Sequence, residues 1–320
     1  MDMRSKFLAS TFAIVLGLAT PVVSAIGFPE VAIAQTVGQK QVEADRLLKQ
    51  GVHQANAKEF QAAIQSWQQA LNLYRAIGHR QGEKVTLGNL GNLYQFLDQY
   101  PKAVEAYEES LAIARELNDR ITEMEVLGSV GVIYKDFKNY VKATEYQEKS
   151  LLISREIQNR MGEGNALGNL GTIYRRLGNY TKAIEYQEKR LSIAREIKDR
   201  RGEGNALGNL GNTYRNLSNY IKAIEYQEKD LFITRELQDQ RGEGESLGNL
   251  GRTYQSLGNY SKAIEYYEQS ILIARDTKNR RSERLALANL GSVYQSLNNY
   301  QKAIEYYEKG LAIMRSIQDR

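Results

Sequence analysis

The chain has 320 residues, 42% of them hydrophobic and 25% charged, with three prolines, no cysteine and a formal net charge of +5. Without cysteine there is no disulfide, no thiolate metal site and no lipid-modified cysteine. The positive excess is slight for the length and far from the concentrated basic face of a nucleic-acid binder, so no nucleic-acid partner is expected.

The first segment differs from the rest. Arg4 and Lys6 precede an apolar run over 7–20, followed by the small-residue patterns Val23-Ser24-Ala25 and Ala32-Ile33-Ala34. This reads as a secretory signal peptide. The run is short of the ~20 residues a membrane span needs. Cleavage after Ala34 is preferred, giving a signal peptide over 1–34, with cleavage after Ala25 the alternative. The mature chain is then expected in a periplasmic or secreted location with no membrane segment, an uncleaved anchor being the other reading. Residues 35–43 are expected as a short linker.

Everything after it repeats. Gly51, Gly91, Gly131, Gly171, Gly211, Gly251 and Gly291 stand forty residues apart, and a fixed period in this range signals stacked supersecondary units. We divide the array into 44–83, 84–123, 124–163, 164–203, 204–243, 244–283 and 284–320. In the fifth unit Leu207, Leu210, Gly211, Tyr214 and Leu217 fall on one helical stripe, which defines helix A. Turn chemistry follows at 216–220, where Leu-Ser-Asn-Tyr replaces the Leu-Gly-Asn-Tyr of repeats four and six. Helix B starts next, and in repeat six its face is Ala263, Tyr266, Tyr267, Ser270, Ile271 and Ala274. Pro101 fits the first turn of helix B in repeat two, where a missing N–H costs nothing. Each pair has too wide an apolar face to bury alone, so the pairs must stack into an all-α solenoid.

The ends are special. Repeat one carries Gln50 and Gln54 where others have leucine and tyrosine, as suits a terminal repeat with one wet face, while Phe60, Ala63, Trp67 and Ala70 keep its helix B in register. In repeat seven Leu311 and Ile313 are expected to lack a covering neighbour, which offers a route to a homo-oligomer.

The spacing of Leu247, Leu250, Gly251, Tyr254 and Ala263, continued by Tyr267 and Ser270, resembles the tetratricopeptide repeat, and the resemblance covers roughly 44–320. The period exceeds the usual ~34 residues. The closing proline of that family is replaced by Arg235 or Arg275 within a continuing helix B. Both departures resemble the long-repeat branch of the kinesin light chain. HEAT and armadillo repeats share the period but lack this pattern, and WD40 blades need strands. The resemblance implies a right-handed superhelix of seven antiparallel helix pairs. The chain also looks like exported cyanobacterial arrays, with Ser66-Trp67-Gln68-Gln69-Ala70-Leu71 and runs of Leu-Gly-Asn-Leu-Gly. Those often continue into a caspase-like CHAT domain, so one alternative is the recognition arm of such an architecture.

No catalytic constellation appears, and the chain reads as a non-enzyme without cofactor or metal. Gly202-Glu203-Gly204 with Gly208 lacks the strand and spacing of a nucleotide loop; it reads as tight turns and close helix packing. Glu225 and Glu228, or Glu265 and Glu268, lie among lysines, where Glu225 and Lys229 form a helical i,i+4 pair. His53 and His79 have no partner at ligand spacing. Tyr146, Tyr186, Tyr226 and Tyr266 read as core or boundary rings, with a stacking platform for bases or sugars as the other option.

Function is expected opposite the leucine stripe of helix A, where repeat five carries Asn205, Asn209, Asn212 and Asn216. Asparagine weakens a helix interior because its amide competes for backbone hydrogen bonds, so a compensating role is expected. The column recurs at Asn89, Asn169, Asn209, Asn249 and Asn289, with Ser129 in repeat three. The resemblance implies that this face lines a groove where such residues hold the backbone of an extended peptide; inter-repeat scaffolding is the alternative. The carboxylate-clamp lysine of the family is absent, with Gly88, Gly168 and Gly208 in its place. Lys135, Arg175, Arg176, Arg215 and Arg252 share the face, between neutral Gln95 and Gln295. A basic middle points to an acidic, extended protein segment as partner.

Overall fold

The computed structural model describes residues 29–318, and among them are fourteen helices and no strand. They fall into two compact units, Met1–Ile157 and Gln158–Arg320. The first holds α1 (Pro29–Asn56), α2 (Phe60–Ala76), α3 (Arg80–Phe96), α4 (Tyr100–Glu116), α5 (Arg120–Asp136) and α6 (Tyr140–Glu156). The second holds α7 (Arg160–Arg176), α8 (Tyr180–Glu196), α9 (Arg200–Asn216), α10 (Tyr220–Glu236), α11 (Gln240–Ser256), α12 (Tyr260–Asp276), α13 (Arg280–Ser296) and α14 (Tyr300–Gln318). Odd-numbered helices are helices A and even-numbered ones helices B. The apolar run over 7–20 and the Ala25 site lie outside the described residues. The Ala34–Gln35 bond falls within α1, and residues 35–43, expected as a linker, are helical.

The period has a simple origin. From α2 to α13 every helix is 17 residues long, and three residues join each to the next. The middle residue of the turn takes a left-handed conformation, as at Ser218 (φ 58°), Gly178 (φ 77°) and Gly258 (φ 82°). That conformation closes a helix C-terminus. In most turns the third residue caps the next helix with its side chain, Glu59 and Gln99 being exceptions. Asp199 accepts from the Gly202 N–H at 2.9 Å, and Asn219 from the Lys222 N–H at 3.2 Å.

Gly202, Glu203 and Gly204 therefore sit in the first turns of α9, and the turn reading of these glycines is corrected. The close-packing half of that reading holds. A Cβ at Gly204 would meet the Ile233 side chain at 3.2 Å, and one at Gly211 would meet Gln227 at 2.5 Å and the Ala223 carbonyl at 3.0 Å. Helix B crosses helix A too closely at Gly211 for any side chain.

Glu203 is the anchor of the first turn. It is buried, and Arg195 and Arg200 bind it at 2.8 and 2.6 Å. The same fork recurs at Glu123 with Arg115 and Arg120, and at Glu283 with Arg275 and Arg280. A buried carboxylate held by two guanidiniums is matched, where a single partner's loss would leave a costly charge.

Within each unit every helix packs on its chain neighbours, and in the second unit helices A of consecutive repeats also touch each other. The core of each unit is made of the small and branched residues read as periodic. In the second unit Leu207, Leu210, Ala223, Leu247, Leu250 and Ala263 are almost wholly buried. In the first, Trp67 is fully buried and donates from Nε1 to the Leu48 carbonyl at 3.1 Å. Gln54, the polar substitute in repeat one, accepts from Ser66 at 2.7 Å.

The helix B tyrosines are boundary residues. Tyr186 stacks on Tyr174, Tyr226 on Tyr214 and Tyr306 on Tyr294, with centroids 5.4 Å apart. Lys222 lies over the Tyr214 ring and Lys229 over Tyr226, at 5.1 and 5.6 Å. The ring faces are taken by each other and by lysine, which leaves no open stacking platform.

Candidate functional site

Helices A place their asparagines as the spacing requires, with different degrees of burial. Asn205 is exposed; Asn169, Asn209, Asn212, Asn249 and Asn289 are half-buried; Asn89 is buried at 7% exposure, so it belongs to the packing of the first unit more than to an open face. The amides of Asn209 and Asn289 make no hydrogen bond among the described residues. Asn249 accepts from Arg252, and Asn212 accepts weakly from Gln227 at 3.4 Å.

The basic residues separate by unit. Lys135 lies in the first and pairs with Asp136 at 3.8 Å. Arg175, Arg215 and Arg252 lie in the second, on three successive helices A, half-buried and without an ion-pair partner among the described residues. The Nε of each is buried and makes no hydrogen bond. Arg176 is beside them and exposed. The guanidiniums feel one another. Burial and the charges of Arg176, Arg215 and Arg252 push Arg175 down to about 10. Burial and Arg252 lower Arg215 likewise. A group whose charged form is disfavoured by its neighbours gains from an anion that neutralises them.

Two helix B residues reach this face, and reading helix A alone missed them. Arg190 of α8 lies against Gly168, its Cδ 2.6 Å from where a Cβ would stand, and donates to the Gly164 carbonyl at 2.6 Å and Asn165 Oδ1 at 3.2 Å. Asp230 of α10 lies against Gly208 in the same way. The position is serine at Ser110, Ser150 and Ser270, each donating to a helix A carbonyl. The absent clamp lysine leaves glycine windows through which the longer side chains pass. The signal was present in the sequence as Ser, Ser, Arg, Asp, Ser at forty-residue spacing. A further basic row, Arg201, Arg241 and Arg281, lies at the opposite end of helices A, with Arg201 3.4 Å from Asp239.

Among the described residues no three His, Asp or Glu side chains could hold a metal ion, and His79 caps α3 by accepting from the Gly82 N–H at 3.0 Å. No described helix is long and apolar enough to cross a membrane. The face presents hydrogen-bond donors and acceptors together with cationic side chains.

The sequence profile of the tetratricopeptide repeat matches over 45–116, 122–196, 162–236, 202–276 and 242–316. The chain belongs to the tetratricopeptide repeat family. No curated protein matches it in sequence. Similar solved structures include apo RapI, with a TM-score of 0.73 at 18% identity over 87% of this chain and 100% of that one. The apo quorum sensor NprR from B. thuringiensis gives 0.71 at 16% identity, over 89% and 83%. The nearly identical repeats of a Podosopora anserina kinesin light chain give 0.52 at 19%, over 62% and 97%. At these identities the likeness is one of fold.

Proposed function

We propose that this tetratricopeptide array is a non-catalytic scaffold that binds an acidic, extended protein segment along helices A of its second unit, Gln158–Arg320. The observation that carries the reading is the trio Arg175, Arg215 and Arg252, none in an ion pair among the described residues, beside Asn209, whose amide makes no hydrogen bond among them. An asparagine amide offers both a donor and an acceptor, which suits a peptide backbone whatever its sequence. The arginines then supply the preference for acid. A structural neighbour that is a quorum sensor fits a recognition role for the fold. We place the partner in the periplasmic or secreted space, on the strength of the leader-like segment.

The test is to measure binding and stability together in Asn209→Ala. On this reading an immobilised glutamate-rich peptide loses about 1 to 3 kcal/mol of binding, while the thermal midpoint holds or rises, alanine being the better helix former. A drop in midpoint with unchanged binding would make the column scaffolding.

A second reading is self-association through α14. Tyr300, Ile304, Tyr307, Leu311 and Met314 form one helical stripe and are all exposed, Tyr307 at 39% where its counterpart Tyr267 is fully buried. Ile313, expected to be uncovered, is buried at 8%, because it faces α13 within its own pair.

A further inference from the structure

From three guanidiniums on successive helices A, without an ion pair among the described residues, we propose that Arg175, Arg215 and Arg252 form a site for a phosphoryl dianion carried on the bound segment, a phosphorylated side chain in preference to a run of carboxylates. The inference rests on the peptide-binding reading and names the group that the basic cluster selects.

The contrast with the other arginines carries it. Elsewhere in the second unit the repeat supplies a glutamate to an arginine at almost every turn. Arg160 pairs with Glu163 and Glu196, Arg200 with Glu203 and Glu236, Arg235 with Glu243, and Arg275 and Arg280 with Glu283. Arg175, Arg215 and Arg252 form no ion pair among the described residues, Glu245 acting on Arg252 only by its charge, and each leaves a buried Nε–H without an acceptor, as Arg241 does in the other basic row. They are also not spaced as a ladder. Arg175 and Arg215 occupy the last turns of α7 and α9, while Arg252 enters one turn earlier on α11 and is held there by Asn249. Burial and then the charges of Arg176, Arg215 and Arg252 disfavour the charged form of Arg175. A segment of glutamates presents single charges spread along its length. A phosphoryl group presents about two charges and three acceptor oxygens at one point, and guanidinium forks match such oxygens in pairs.

Three fluorescein-labelled peptides of one glutamate-containing sequence test this, differing only in a central phosphoserine, glutamate or serine. The phosphoserine peptide is expected to bind the full chain at least tenfold more tightly than the glutamate peptide. Arg215→Gln and Arg252→Gln are each expected to reduce that ratio to within about threefold, with circular dichroism and melting unchanged. Inorganic phosphate is expected to compete only at concentrations at least a hundredfold higher than the phosphopeptide; competition at equal concentration would show that the segment contributes nothing and would overturn the proposal. If phosphoserine and glutamate peptides bind within twofold of each other, phosphoryl selection is wrong and the acidic-segment reading stands. If none of the three binds, both are wrong.

Discussion

Ser246 of α11 donates a 2.7 Å hydrogen bond to the carboxylate of Asp230 on α10, joining two repeats at a position where other repeats have a serine bonded to a backbone carbonyl. Burial raises the Asp230 carboxyl to about 6; the hydrogen bond from Ser246 opposes the rise and the charge of Glu245 adds to it. Because this folded value lies above the ordinary aspartate value of 3.8, the fold favours the protonated form. The group therefore costs stability above about pH 6, and the cost disappears as pH falls from 6 toward 4. Asp230→Asn is expected to raise urea resistance at pH 7.5 by about 2 kcal/mol, and to make no difference at pH 4. Denaturation midpoints at the two pH values check both halves.

Glycines of the two helix A columns should respond oppositely to alanine. Gly211→Ala forces a Cβ against Gln227 and the Ala223 carbonyl, an overpacking expected to cost about 2 kcal/mol. At Gly248 the nearest atom is Ser270 Oγ at 3.6 Å, an ordinary contact, and repeat seven already carries Ala288 at the equivalent place. Gly248→Ala is expected to stabilise by about 0.5 to 1 kcal/mol through helix propensity. Thermal melting of the two variants beside the parent decides.

The contrast shows which parts of the molecule the sequence could specify. The forty-residue period, the seven helix pairs and the leucine faces were legible because identical spacing in every copy admits one face per helix. The helix A boundary was not. Gly202-Glu203-Gly204 looks like turn chemistry, and only the Asp199 cap and the pairing of Glu203 with Arg195 and Arg200 show that the helix has already begun. In the binding face, the asparagine and arginine columns were readable by position. That Asn89 is buried depends on side-chain packing between helices, of which a one-dimensional pattern carries no record. Asp136 beside Lys135 and the Ser, Ser, Arg, Asp, Ser series that contains Arg190 were both in the sequence, but a reading confined to the columns of helix A passed over them.

The apolar stripe on α14 predicts concentration-dependent association. Light scattering from micromolar to tenfold higher concentration should show mass growth, and Tyr307→Lys with Leu311→Lys should abolish it, since contiguous exposed apolar surface favours contact. Tyr307 and Leu311 are 39% and 40% exposed, and Tyr307 also packs on Gly291 and donates to Gln295 at 3.0 Å, so melting of the double variant is followed beside its mass. Association that persists in the double variant would put the interface elsewhere.

The central claim is that Arg175, Arg215 and Arg252 select an acidic segment, and fluorescence anisotropy of a labelled glutamate-rich peptide tests it most directly. The peptide is titrated with the parent chain and with Arg215→Gln, each at 50 and 300 mM salt. The account predicts binding that weakens with salt, because exposed charges are screened beyond ~8 Å at physiological ionic strength. It also predicts a loss of roughly tenfold or more in Arg215→Gln at low salt, the scale of a hydrogen bond to a charged group, and a smaller loss at high salt. Binding that is the same in both proteins and indifferent to salt would contradict it.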